Sequence, residues 1–128
     1  ANAMIAVCAT PSGDRHEFGI LAVSIRLALR GWQVVYLGVD APPEEVAGAI
    51  LEVKPNLVAA SIVLERDADI VTTWVQVIRE AVGPELPILI GGRAADRLNP
   101  ALLTGRTAIA YSLDDIDGRS LQAWVRNE

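Results

Sequence analysis

Residues 4–37 read MIAVCATPSGDRHEFGILAVSIRLALRGWQVVYL, and the order of apolar and polar patterns in this stretch predicts the fold class. An apolar run at residues 4–10, rich in Ile, Val and Ala, is typical of a buried strand. A polar loop follows, and the spacing of apolar side chains then predicts a helix over residues 18–30, which Gly31 ends. Residues 33–37 predict a second strand, so the stretch is a strand–helix–strand unit.

The same alternation continues to the end of the chain. Further strands are predicted at residues 56–61, 87–90 and 107–111. Further helices are predicted from residues 42–45 up to Pro55, from Asp67 or Asp69 onward, and over residues 114–125, with a helical turn at 99–103. Apolar strands that alternate with helices indicate an α/β fold: a doubly wound, five-stranded parallel sheet with helices on both faces, flavodoxin-like or Rossmann-like, in the order 2-1-3-4-5.

Helical periodicity also predicts which side chains face the sheet. In the first helix one stripe at three- and four-residue spacing consists of Phe18, Leu21, Ala22, Ile25 and Leu29, and a second apolar stripe consists of Ile20, Val23 and Leu27. In the second and third helices the predicted inward residues are Val46, Ala49, Ile50 and Val53, and Ile70, Trp74, Val77, Ile78 and Ala81. Because the first helix is apolar on two sides, it has either extra core or a face for a partner.

Length and charge narrow the classes of function. The 128 residues suffice for one domain, which we expect over residues 4–128, with residues 1–3 left from a cleaved expression tag. The formal net charge is −5 and Lys54 is the single lysine, so direct binding to nucleic acid is not expected. With Cys8 as its single cysteine the chain has no disulfide framework, which favours a cytoplasmic location. No membrane partner is expected, since no apolar run reaches the length of a bilayer span.

Polar residues and glycines follow three of the predicted strands. Asp14 and His16 come after the first strand, Ser61 after the third, and Gly91 and Gly92 after the fourth. In a parallel sheet these positions lie at one edge, where such folds bind ligands. The sequence therefore predicts a single crevice that gathers polar groups from distant parts of the chain.

His16 is the sole histidine, and it stands two residues from a carboxylate. One ring nitrogen can bind a metal while the other donates to Asp14, which sets the tautomer and raises the basicity of the ligating nitrogen. The alternative is a surface histidine beside an Asp14 that caps the following helix. One histidine cannot build a closed zinc or di-iron site, so a metal on His16 has to arrive with most of its ligands, as in a haem or a corrin.

Residues 13–19, Gly-Asp-Arg-His-Glu-Phe-Gly, contain the D-x-H-x-x-G pattern, Ser61-Ile62-Val63 matches S-x-L with valine for leucine, and Gly91-Gly92 forms a glycine pair. In this order, after strands one, three and four, the three motifs resemble those of cobalamin-binding domains, known from methionine synthase, the carbon-skeleton mutases and certain regulators. The resemblance extends over essentially the whole chain from Met4. Taken without the other motifs, the glycine pair is equally well interpreted as the start of a loop.

The resemblance implies a role for each matching residue. His16 would replace the dimethylbenzimidazole of the cofactor as the lower axial ligand of cobalt, Asp14 would hold the imidazole, and Ser61 would extend this relay. The displaced nucleotide tail would enter the sheet beside Ser61, Val63, Gly91 and Gly92. Gly19 would let the corrin edge or the tail approach the helix backbone, and Arg15 is counted with the cofactor-binding residues because it lies inside the first motif.

Other ligand sites on this fold match the sequence less well. A phosphorylated receiver domain needs an aspartate after strand three and a lysine after strand five, where this chain has Ser61 and Tyr111-Ser112. A dinucleotide site needs G-x-G-x-x-G after the first strand, and this motif is absent. A flavodoxin-like phosphate site at Thr10, Ser12 and Gly13 stays open, but it leaves His16 and the glycine pair without a role.

The resemblance is nearest to the sensor domains of MerR-type regulators, through residues 31–38 followed by Asp40-Ala41-Pro42. It implies a sensory or regulatory module for transcription that binds adenosylcobalamin or methylcobalamin and has no catalysis of its own. A homo-oligomer, or a separate helical cap or effector domain, would then be the partner. The alternatives are the cofactor-carrying domain of a corrinoid methyltransferase or mutase, and a degenerate domain that binds only protein.

Overall fold

Five strands form one parallel sheet in the order β2-β1-β3-β4-β5, as predicted. The computed structural model describes residues 3–64, 67–117 and 119–127, without the side chains of residues 67 and 117. The strands are β1 Ile5–Pro11, β2 Gln33–Ala41, β3 Leu57–Ser61, β4 Ile88–Gly91 and β5 Thr107–Ile109. Of the predicted tag remnant, residues 1 and 2 lie outside the described part of the chain.

The helices are α1 Glu17–Leu29, α2 Pro43–Val53, α3 Asp67–Val82, α4 Asp114–Asp117 and α5 Arg119–Arg126, with 3-10 turns at Ala95–Arg97 and Pro100–Leu102. One element differs clearly from prediction, since β2 continues four residues beyond Leu37. The predicted helix over residues 114–125 corresponds to α4 and α5, which lie on either side of residue 118, a residue outside the described part of the chain. No helix in the described residues is both long and apolar enough to span a membrane.

Side chains that alternate along the strands pack into two separate cores, one on each face of the sheet. From β1, Val7 and Ala9 join the core under α2 and α3, whereas Ala6 and Cys8 join the core under α1 and α5. This period of two is the geometry of an extended strand. Burial raises the pKa of the Cys8 thiol to about 11, so the thiol stays neutral at physiological pH.

Of the two apolar stripes of α1, the second is the one that packs against the sheet. Phe18 is 92% exposed, Ile25 and Leu29 are also exposed, and the buried residues are Ile20, Val23, Ser24 and Leu27. Both stripes of this helix are apolar, so periodicity could not select between them. The buried hydroxyl of Ser24 is satisfied within the helix, because it donates to the Ile20 carbonyl at 2.8 Å.

Helix α3 is rotated by about one residue from the predicted orientation. Val71, Trp74, Val75 and Ile78 are buried, whereas the predicted inward residues Ile70 and Ala81 are exposed. The indole Nε1 of Trp74 donates to the Ala41 carbonyl at 2.9 Å, and this bond favours the observed rotation. In α2 the predicted residues Val46 and Ile50 are buried, as expected from the periodicity.

The buried Arg79 holds together the α3–β4 loop and the segment at the start of β5, at the amino ends of β4 and β5. Its guanidinium donates to the carbonyls of Thr104, Gly83 and Leu86 and to the hydroxyl of Thr107, at 2.6 to 3.2 Å. A charged group in four hydrogen bonds contributes more than an ordinary polar contact. Arg79 is therefore a structural residue, at the edge of the sheet opposite the predicted crevice.

We expect Arg79→Met to lower the free energy of unfolding by about 3 kcal/mol, because the four acceptors lose a buried donor that methionine cannot replace. Urea denaturation followed by circular dichroism measures this change. Arg119→Met is the matched control: Arg119 is exposed, and its replacement should change stability by less than about 0.5 kcal/mol. Equal stabilities of the two variants would contradict the structural role of Arg79.

Candidate functional site

The carboxylate of Asp14 joins the loops that follow β1 and β3. It is fully buried and accepts three N–H groups. Oδ1 accepts from the backbone N–H and from Nδ1 of His16, both at 2.9 Å, and Oδ2 accepts from the backbone N–H of Val63 at 3.1 Å. A buried carboxylate with three donors is well satisfied and holds its neighbours in place.

His16 is the N-cap residue of α1, and its side chain makes no capping bond. The alternative in which Asp14 caps this helix is therefore not the arrangement observed. Because the imidazole faces a carboxylate through Nδ1, that nitrogen carries a proton, and in the neutral ring Nε2 then has a lone pair. The side chain is 48% exposed, and Nε2 has no hydrogen-bond partner in the part of the chain that the structure describes. The imidazole is thus prepared to act as a ligand from the loop after β1.

Arg15 lies outside this buried arrangement. Its side chain is largely exposed, and its Nε is 3.8 Å from Oδ2 of Asp40. An exposed ion pair at this distance contributes little to stability. Arg15 therefore lies on the exposed surface of the loop that also contains His16.

A cavity of about 470 Å³ opens between α1, the carboxyl ends of β3 and β4, and the segment after β5. Its lining is mostly apolar and includes Gly19, Ser61, Gly91 and Gly92. Four of the predicted site residues therefore meet in one space, as the sheet topology requires. The other four predicted site residues do not line this cavity: Asp14, Arg15, His16 and Val63, of which Val63 donates its backbone N–H to Asp14.

The hydroxyl of Ser61 is buried without a partner. Ser61 is 2% exposed, and its Oγ makes no hydrogen bond in the described residues. The predicted relay from Asp14 to Ser61 is not formed, since Ser61 Oγ makes no hydrogen bond and Oδ2 of Asp14 accepts from the N–H of Val63. A buried polar atom without a partner is costly, so an atom that can hydrogen-bond at the cavity wall indicates a place for a ligand.

Two of the three glycines keep space free around Ser61. A Cβ on Gly19 would lie 2.7 Å from Ser61 Oγ. A Cβ on Gly92 would lie 2.2 Å from the carbonyl oxygen of Ile62, and Gly92 has a φ of +104°, which L side chains rarely adopt. A Cβ on Gly91 would make only ordinary contacts, the nearest at 3.5 Å from the Ala110 carbonyl. Gly92 is therefore required by the close approach of the backbone, whereas a Cβ at Gly19 would displace only the Ser61 hydroxyl and Gly91 is not constrained.

Sequence reasoning missed some of the residues around the crevice. Arg93 and Asp96 after β4, and Tyr111 and Leu113 after β5, also line the cavity. Their position after the last two strands was a usable signal, since every carboxyl end of a parallel sheet borders the same crevice. Asp40, at the carboxyl end of β2, contacts the loop that carries His16.

A family model described as the B12 binding domain matches residues 4–112. The chain belongs to the B12-binding domain family. This B12-binding domain has the motifs and the sheet order of the family, and the cavity lies where its glycine pair and Ser61 meet. The resemblance inferred from the motifs is confirmed at the level of the family.

The domain is similar to regulators and to corrinoid proteins. It is 38% identical over 111 residues to the HTH-type transcriptional repressor CarA of Myxococcus xanthus. The aligned region covers 87% of this chain and 38% of that protein. It is 30% identical over 97 residues to a methanol--corrinoid protein of Methanosarcina barkeri (strain Fusaro / DSM 804). The aligned region covers 71% of this chain and 35% of that protein. The B12-binding domain thus spans less than two fifths of the length of either relative.

A solved structure has the same fold along almost the whole chain. The crystal structure of a cobalamin-binding protein from Desulfitobacterium hafniense DCB-2 superposes with a TM-score of 0.75 at 25% identity. The match covers 96% of this chain and 60% of that one. The B12-binding domain is therefore a Rossmann-like cobalamin-binding domain.

Proposed function

We propose that the domain binds a cobalamin in the base-off form, with His16 as the lower axial ligand of cobalt. The observation that carries the proposal is the contact at the imidazole: Nδ1 is held by a buried carboxylate at 2.9 Å, which would leave Nε2 of the neutral ring with a lone pair for cobalt. This is the arrangement in which an imidazole is a basic, oriented metal ligand. The bound corrin would supply the cobalt centre and its reactive upper position.

The cavity beside Ser61 fits the nucleotide tail of such a cofactor. Its volume of about 470 Å³ lies in the range of small-molecule sites, and its apolar lining suits a flat aromatic base. The unpartnered hydroxyl of Ser61 would bond a heteroatom of the base, which would satisfy both groups. Gly19, Gly91 and Gly92 would form the walls along the tail, Arg15 would lie at the rim, and Val63 would act through Asp14.

The module would serve as a ligand sensor without catalysis of its own. This role is supported by the 38% identity to CarA, an HTH-type transcriptional repressor. The net charge of −5 disfavours direct contact with nucleic acid, so a DNA-binding segment elsewhere would supply that contact. Adenosylcobalamin is the form we propose for this role, with a second copy or a helical cap as the partner that responds.

A second role is supported by the other relative. The 30% identity to a methanol--corrinoid protein favours a carrier domain, for which methylcobalamin would be the bound form. Residues of another domain would then complete the site above the corrin. Preferential binding of adenosylcobalamin over methylcobalamin would support sensing, and the reverse preference would support a carrier.

The axial ligand can be tested directly, because His16 is the sole histidine. Titration with hydroxocobalamin and adenosylcobalamin should give the absorption change of benzimidazole displacement. In the Co(II) state the unpaired electron couples to the axial nitrogen, so protein grown with ¹⁵N-histidine should change the electron-spin-resonance splitting from a triplet to a doublet. A triplet that persists in the labelled protein would show that the axial nitrogen belongs to the cofactor.

A further inference from the structure

We propose that Asp40 is a positioning residue for His16: it clamps the β1–α1 loop, residues 12–16, against the end of β2. No motif of the chain assigns a role to this residue. The proposal deepens the proposed function, and its cobalamin measurements rest on that function. Its structural basis, in contrast, lies entirely in contacts within the described residues.

The end of β2 is bulged toward the loop. Cys8 pairs with Tyr36, Ala9 with Gly38, and Pro11 with Ala41. From the first of these pairs to the second, and again from the second to the third, β2 advances by one residue more than β1. Such bulges bend a strand and change its direction. Here they bring Asp40 beside the loop that follows β1.

Asp40 then contacts three consecutive residues of the loop. Its Oδ1 accepts the backbone N–H of Gly13 at 2.7 Å, and its own N–H donates to the carbonyl oxygen of Asp14 at 2.9 Å. The same N–H also lies 2.9 Å from Oγ1 of Thr10, whose hydroxyl donates to that carbonyl oxygen as well. The ion pair with Arg15 at 3.8 Å completes the set.

The backbone of Asp40 is strained, and its side chain offsets the strain. Asp40 has a φ of +53°, a left-handed conformation that Asp and Asn tolerate better than other residues with a Cβ. Such conformations persist where the surroundings hold them, and they concentrate at functional sites. The hydrogen bond from Gly13, which lies 27 residues away in the chain, is the interaction that makes aspartate suitable at this position.

The clamp reaches His16 through Asp14. Asp40 bonds the main-chain oxygen of Asp14, and the carboxylate of that same residue orients the imidazole. If the backbone of Asp14 shifts, its carboxylate can no longer receive both His16 Nδ1 and the N–H of Val63. The position of the ligating nitrogen therefore depends on a residue of β2 that need not touch the cofactor.

Three substitutions separate the parts of this role. Asp40→Ala removes the acceptor and keeps the strained φ, Asp40→Gly removes the acceptor and relieves the strain, and Asp40→Asn retains both an acceptor oxygen and tolerance of positive φ. Glu52→Ala, an exposed carboxylate on α2, is the matched control for loss of charge. If Asp40→Ala folds poorly, the role of Asp40 is tested by comparing Asp40→Gly with the wild type.

Two measurements on the protein without cofactor report the clamp. The ¹⁵N shifts of the sole imidazole report its tautomer, and amide exchange reports the hydrogen bond at Gly13. In the wild type, Asp40→Asn and the control, we expect the Nδ1–H tautomer and slow exchange. In Asp40→Ala and Asp40→Gly we expect a mixture of tautomers and exchange at Gly13 about 10-fold faster, the effect of one lost hydrogen bond.

The affinity for hydroxocobalamin should follow the same order. We expect Asp40→Ala and Asp40→Gly to bind about 10-fold more weakly, as for a lost supporting contact around a metal ligand, and Asp40→Asn to stay within about 2-fold of the wild type. Wild-type tautomer and exchange in both Asp40→Ala and Asp40→Gly would overturn the proposal. If the wild type itself fails to bind cobalamin, the proposed function falls, and the two measurements without cofactor still decide the role of Asp40.

Discussion

His16→Ala is expected to abolish the spectral change of benzimidazole displacement and to weaken cobalamin binding by at least about 100-fold. The reason is that the variant loses the one imidazole, and with it the ligand that would hold cobalt against the edge of the sheet. Losses of about 10- to 100-fold are typical when only a supporting contact to a metal ligand is removed, so loss of the ligand itself should cost at least the upper value. Absorption titration and isothermal calorimetry measure the two effects.

The controls for this variant exclude a loss of structure. The His16 side chain is half exposed, and Asp14 keeps the backbone donors of His16 and Val63, so the free energy of unfolding should fall by about 1 kcal/mol at most. Added imidazole should restore part of the spectral change by filling the vacated position. If His16→Ala and the wild type give the same bound spectrum, His16 is not the axial ligand.

Gly19→Leu is expected to weaken cobalamin binding by about 100-fold while leaving the fold intact. The new side chain would point at Ser61 and occupy the cavity proposed for the nucleotide tail, since a Cβ at this position lies 2.7 Å from Ser61 Oγ. Leucine is a better helix former than glycine by about 0.5–1 kcal/mol, which offsets crowding against a hydroxyl that can rotate. The midpoint of urea denaturation should therefore change little, in contrast to the affinity.

Helix α2 offers the matched control for this substitution. Gly48 is a helical glycine, and a Cβ added there would have no neighbouring atom within 4 Å, so Gly48→Leu makes the same chemical change in open space. We expect it to gain helix stability and to bind cobalamin like the wild type. If Gly19→Leu also binds like the wild type with the benzimidazole displaced, the tail does not enter the cavity beside Ser61.

The site shows where prediction from local pattern succeeds. A spacing of two residues predicts the pairing of Asp14 with His16, and the structure places Oδ1 and Nδ1 2.9 Å apart. The motifs mark Gly19 and Gly92 as positions where a side chain would fill space, and a Cβ at either would come within 3 Å of another atom. Both successes depend on geometry that is short-range along the chain or is set by the order of the strands.

The site also shows where local pattern is insufficient. The resemblance implies a relay from Asp14 to Ser61, but Oδ2 of Asp14 accepts from the N–H of Val63 and the Ser61 hydroxyl has no partner at the cavity wall. In the sequence Asp40 stands out only as part of a resemblance, because its contacts depend on two bulges in β2 that no periodicity reveals. Competition among donors from separate loops is settled by their positions in space.

The alternation of apolar strands and helices was enough to predict the parallel sheet, its strand order and the edge at which the polar residues gather. These features follow from periods of 2 and 3.6 residues and from the right-handed crossover, which are properties of the chain itself. Which apolar stripe of α1 is buried, which donor reaches Asp14 and where the cavity opens were decided by packing between segments far apart in the chain. Such choices depend on how several surfaces fit together at once, and a single segment does not contain that information.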